Sequence, residues 1–150
     1  MNISNLDYFI TRNEIIVTSF QAYIAKTPTL KMNQSQTKGE GVIPFFIHSV
    51  HGETCLRFIE KYDNTGLIHY HYGWELLDTN NSVKTRQLIV FGSEPHASVQ
   101  TAIEPFHHHH IPGSPKQRQA CFTIRSLRDV MSFVIYNYIE TDATYSPIQT

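Results

Sequence analysis

The chain has few cysteines, no excess charge of either sign and no long apolar run, and each shortage excludes something. Cys55 and Cys121 are too few for the disulfide framework of a small secreted domain, so reduced thiols in a reducing cytosol are the expectation. Twelve Lys and Arg stand against 13 Asp and Glu, which gives no global basic field, so any contact with RNA or DNA must be local. No stretch approaches the roughly 18 apolar residues of a membrane span. Residues 1–7 lack a basic stretch followed by an apolar run, and both absences point to the cytoplasm and to no membrane partner. Neither a Gly-rich phosphate loop, a His-Glu-x-x-His helix nor a nucleophile-elbow serine occurs, which sets aside kinase, zincin and hydrolase readings.

What is present suits one folded domain spanning residues 1–150. A hydrophobic fraction of 41% with 17% charged residues lies far from the composition of disorder. A chain of 150 residues buries about two-thirds of its unfolded surface without a metal or disulfide staple. Leu6, Phe9, Ile10, Asn13, Ile16 and Val17 recur at helical spacing behind Ser4 and Asn5, predicting an amphipathic helix over 5–17. An opening strand is expected over 18–25. The polar stretch 26–41, with Pro28, Asn33, Gly39 and Gly41, reads as a long flexible connection.

From Val42 the pattern becomes short β-rich runs, 42–49, 54–62, 67–77 and 83–91, divided by turn residues such as Asp63-Asn64-Thr65-Gly66. A last strand over 121–124 closes a sheet region of 42–124. Ser126 and Asp129 form a capping-box pair, and Leu127, Val130, Met131, Val134, Ile135 and Tyr138 an apolar stripe, predicting a helix over 126–139 packed on one sheet face. The expected fold is therefore α+β: an antiparallel meander of about five to six strands with a helix at each end.

Chemistry concentrates in histidine, of which there are nine. In Leu67-Ile68-His69-Tyr70-His71-Tyr72-Gly73-Trp74-Glu75-Leu76, strand alternation puts His69, His71, Gly73 and Glu75 on one face and Tyr70, Tyr72 and Trp74 on the other. Two imidazoles beside a carboxylate serve a metal site or an acid–base site, and the same alternation equally fits two histidines on a solvated face. A second cluster, His107, His108, His109 and His110, lies between Pro105 and Pro112-Gly113, which places it in a loop that His96 can join in space. Glu60 alternates with Phe58 and Tyr62 and reads either as a carboxylate in an apolar face or as a salt-bridged edge residue. Cys55 and Cys121 lack a Cys-x-x-Cys spacing and read as buried structural thiols.

On these motifs the sequence resembles the TumE-like toxins of toxin–antitoxin pairs. The family pattern is an N-terminal helix, a strand carrying a glutamate, a Tyr/His-rich strand, an aromatic-Asp-Asn-x-Pro-His-His segment and a Pro-His-His-Lys-His segment before a C-terminal helix. Residues 56–62 with Glu60, 68–74, 91–97 and 106–111 resemble these in order, and the likeness covers roughly residues 42–140. It implies that Pro95, His96, His107, His108 and His110 are functional. Gly92 and Ser93 stand where the pattern has Asp-Asn, Ala97 where it has a second histidine, and His109 where it has lysine.

The leading expectation is a toxin acting on RNA without a metal. His71 and His108 would serve as the acid–base pair, supported by His96, His110 and Glu60. Arg86, Lys116 and Arg118 would hold phosphate, and Tyr70 and Tyr72 would stack unpaired bases. The expected partner is a cognate antitoxin from the adjacent gene, and a homodimer is compatible. A second expectation is a metal enzyme: His69-x-His71-x-x-x-Glu75 has the spacing of a first cupin motif, and with His107 and His109 would hold Zn, Ni, Fe or Mn. A third is a non-catalytic protein-interaction module.

Overall fold

The computed structural model describes residues 3–77, 86–93, 108–111, 114–120 and 123–144. Helix α1, Asn5–Ser19, starts where Ser4 Oγ accepts the Asp7 amide at 3.1 Å, and it buries Phe9, Asn13 and Ile16 along one stripe. Strands follow at β1 (Thr29–Met32), β2 (Lys38–Pro44), β3 (Thr54–Asp63), β4 (Gly66–Leu76), β5 (Gln87–Gly92), β6 (His108–Ile111) and β7 (Ser114–Ala120). Helix α2, Leu127–Val134, begins with the Ser126/Asp129 capping box and runs into a π-helical turn, Ile135–Ile139.

Among the described residues, the seven strands form one sheet in chain order, each antiparallel to the next. The α+β class, the meander and the helix at each end are thus as the sequence predicts. Between β3 and β4 the expected turn forms: Asp63 Oδ1 accepts the Thr65 amide at 2.7 Å, and Gly66 takes a φ of 116°.

One face of the sheet carries the core. Leu56 and Phe58 of β3, Tyr72 and Trp74 of β4, and Ile89 and Phe91 of β5 pack with Phe9 and Ile16 of α1 and with Leu127, Val130, Met131, Val134 and Ile135. Trp74 stacks on Tyr138 with ring centroids 5.0 Å apart. Each fully buried aliphatic or Phe side chain contributes about 1.5–3 kcal/mol, so the α2 stripe alone fixes that helix to the sheet.

Four boundaries differ from the sequence reading. The expected strand over 18–25 is absent: Thr18 and Ser19 finish α1, and Gln21–Tyr23 forms a 3-10 turn. Phe20, buried one helical turn past Ile16, anchors the chain there, and Ile24 alone bridges to Phe45. The connection expected over 26–41 is instead the β1–β2 hairpin, whose turn Asn33 organises by accepting the Thr37 and Lys38 amides at 2.8 and 3.0 Å. The histidine run does not stay a loop, because His108–Ile111 pairs with β5 on one side and β7 on the other. Finally, Thr123 and Ile124 lie outside any strand, and residues 121 and 122 lie outside the described residues.

Candidate functional site

The face turned away from the helices is built by the alternate residues of β2 to β5. The cross-strand register gives rows: Lys38, Lys61 and His69; Glu40, Ile59, His71 and Gly92; Val42, Arg57, Gly73 and Val90; Pro44, Cys55, Glu75 and Gln87. Lys38, Arg57, Ile59, Lys61, His71, Glu75, Arg86 and Gln87 line a hollow of about 450 Å³ there. Four cations and the Glu75 carboxylate line it, and Glu40 stands beside it with an oxygen 3.9 Å from Lys38 Nζ, so the hollow is locally basic by a small margin.

Glu75 sits at the floor of this hollow, 1% exposed. Its Oε1 accepts from Arg86 Nε at 2.8 Å and from Arg57 Nε at 3.3 Å. Burial raises its pKa, and the two guanidiniums oppose that rise without cancelling it. The carboxylate thereby positions two arginines at the base of the hollow. In the cupin-like reading the same carboxylate would have to face a metal together with His69 and His71. Among the described residues, no group of three His, Cys, Asp or Glu is arranged to hold one. Next to it, burial pushes the Cys55 thiol up to about 11, which keeps it a neutral, inert thiol as expected.

The sheet register extends this face toward β6. Gly92 pairs with His71 on one side and with His108 on the other, so His71, Gly92 and His108 form one backbone row across three strands. Val90 pairs with His110, and His110 with Arg118, which continues the row of Arg57 and Gly73. His109 pairs with Phe91, one position out of step with both rows, and Lys116 lies in β7. His96 and His107, expected at the site, lie outside the described residues, as do Pro95 and Ala97.

Two groups of expected site residues are on the other face. Glu60 is fully buried among the helices, where Arg12 clasps it through two bonds of 2.5 and 2.6 Å and the hydroxyls of Tyr62 and Tyr72 donate to it at 2.9 and 2.5 Å. Its strand partner is Tyr70, not His71, so the pleat directs it away from the histidines. It is a carboxylate in the apolar face, as one reading had it, and its salt bridge to Arg12 lies in the core and not at an edge. Tyr70 and Tyr72, expected to stack bases, stack on each other at 4.5 Å and are 5% and 0% exposed. No base can reach them.

Sequence reading missed Lys38, Arg57 and Lys61. The signal was there: Arg57, Ile59 and Lys61 alternate along β3 and stand opposite Gly73, His71 and His69 once the β3–β4 register is drawn. Arg12 carried no such signal, because its partner lies 48 residues away on another element. Two further histidines are structural. His48 is buried with Nε2 2.8 Å from the Ala143 carbonyl and Nδ1 accepting the Val50 and His51 amides, and both His48 and His51 pack edge-on to Trp74.

Comparison with known families, with curated proteins and with solved structures gives no match to this chain. Among the described residues, no helix is long and apolar enough to cross a membrane.

Proposed function

We propose that the open sheet face binds RNA and cleaves it by histidine acid–base catalysis, as the toxin of a toxin–antitoxin pair. The observation that carries this reading is the row His71–Gly92–His108 laid beside four cations. His71 and His108 stand two strand spacings apart, about 10 Å between backbones, with a glycine between them that contributes no side chain. A phosphodiester seated over Gly92 would lie between the strand positions of His71 and His108.

In the reaction, one imidazole takes the proton of the 2′-hydroxyl, and that oxygen attacks phosphorus. The bond from phosphorus to the 5′-oxygen breaks, and the partner imidazolium gives its proton to the departing oxygen. The products are a 2′,3′-cyclic phosphate and a free 5′-hydroxyl, with no metal in the step. Each proton transfer is worth roughly 10² to 10⁴ in rate. Lys38, Lys61, Arg57 and Arg86 offset the phosphate charge. Lys116 and Arg118 are positions of β7, and His110 lies one row from the pair.

The test is induction of the untagged chain in a host lacking its neighbouring gene, beside His71→Ala and His108→Ala variants and the double variant, with growth and bulk RNA integrity followed together. The expected outcome is growth arrest with RNA decay that persists in chelator-treated extracts, is lost in both variants, and is relieved when the neighbouring antitoxin is co-expressed. RNA decay at the wild-type rate in the double variant would sink the acid–base assignment. Decay abolished by chelator and restored by iron or manganese would favour the His69, His71 and Glu75 metal reading instead.

A further inference from the structure

On the side of the sheet away from the histidines, α1 and the start of α2 leave a groove of about 500 Å³ between them, within the range of small-molecule sites. Its walls are apolar: Ile15 and Tyr8 of α1 face Leu67 of β4 and Leu127 of α2. Ile15 is 53% exposed and Tyr8 40% exposed, both large for residues on a wall of this kind.

The charge in the groove is divided by depth. At the floor, Arg12 is neutralised by Glu60, and the Tyr72 hydroxyl is turned to the same carboxylate. The floor therefore offers an incoming ligand no free charge. At the mouth stand Arg125 and Arg128, both exposed and without an ion pair among the described residues; Asp7 is the carboxylate of the lining there, and that of Asp129 is engaged by the helix cap. The backbone at the start of α2 is already satisfied, because Asp129 Oδ2 accepts the Arg125 and Ser126 amides and Ser126 Oγ accepts that of Asp129. What remains for a ligand is an apolar slot with two guanidiniums at its rim.

We propose that this groove binds a small amphipathic anion, an aliphatic carboxylate whose tail lies between α1 and α2 and whose head meets Arg125 and Arg128. Apolar lining supplies the affinity for the tail, and the arginines select a carboxylate over a neutral or cationic head. The site is separate from the histidine face and does not depend on RNA cleavage.

Calorimetric titration of the full chain with decanoate, decanol and decyltrimethylammonium tests it. Decanoate is expected to bind saturably at one site, and decanol roughly tenfold more weakly, the scale of two partly exposed ion pairs. Arg125→Ala combined with Arg128→Ala is expected to bring decanoate down to the affinity of decanol while leaving decanol unchanged. Ile15→Asp, a change at an exposed position, is expected to lose both ligands while circular dichroism remains that of the parent. Absence of saturable binding, equal affinity for the three head groups, or decanoate binding undiminished in folded Ile15→Asp would each overturn the proposal.

Discussion

The two faces of the sheet each bury a glutamate, and they use it differently. Glu60, on the helix-covered face, is held by Arg12 and two tyrosine hydroxyls, and every lone pair is turned inward. Glu75, on the open face, is as deeply buried but holds two arginines that line a hollow. The first carboxylate fixes a helix to a sheet, whereas the second holds two arginines at an open hollow. Residue type and burial are the same in both places; which side of the pleat a strand position occupies decides the role.

The comparison is broken most severely at the core pair. Arg12→Ala leaves Glu60 uncompensated beneath α1, and it is expected to cost about 3–5 kcal/mol of stability by denaturant unfolding. Burial pulls the Arg12 pKa down, but the bonds and charge of Glu60 outweigh this, so the guanidinium is more firmly protonated than usual and cannot escape by neutralising. Arg12→Met together with Glu60→Leu removes both charges, and it is expected to be far less damaging than either change alone. A double variant no better than Arg12→Ala would mean that the pair does not act as a unit.

Glycines sharpen the same contrast at a smaller scale. A Cβ on Gly41 would collide with the Phe58 ring and lie 2.7 Å from Leu30 Cδ2, while on Gly39 it would lie 2.5 Å from Phe9 Cε2. A Cβ on Gly73, on the open face, would come 2.9 Å from Glu75 Oε2. Rings locked in a core must shift as a body, but a carboxylate can swing. Gly41→Ala is therefore expected to cost about 1–3 kcal/mol, and Gly73→Ala about 1 kcal/mol or less. Equal stability losses would show that the open face is packed as rigidly as the core.

These glycines also explain what was legible in the sequence. Long, strongly periodic segments were readable, because α1, β3, β4 and α2 announce themselves through apolar spacing and a capping box. The β1–β2 hairpin was not, since Gly39 and Gly41 look like loop residues when they are in fact strand positions over which Phe9 and Phe58 lie. The His108–Ile111 strand was hidden for a related reason: its backbone bonds come from β5 and β7, and no side-chain alternation records them. At the site, the shared face of His69, His71 and Glu75 was legible from period two alone. The partners were not, because Arg57 and Arg86 reach Glu75 across strands and Arg12 reaches Glu60 from another element.

The smallest expected effect is the pH dependence that Glu75 brings to the open face. Glu75 takes up its proton at a higher pH in the folded chain than its ordinary 4.5, because burial outweighs the two guanidiniums. Folded chains then bind more protons than unfolded ones just above pH 4.5, so the contribution of Glu75 to stability is complete below that value and declines as pH rises through its folded pKa. Glu75→Gln cannot ionise. The stability of the parent relative to this variant is therefore expected to fall between pH 4 and pH 7, measured by urea unfolding at matched ionic strength. A relative stability that climbs over the same interval would mean that Arg57 and Arg86 hold the anion more strongly than burial opposes it, and the open face would then be stabilised by its ion pairs as the core is by Arg12.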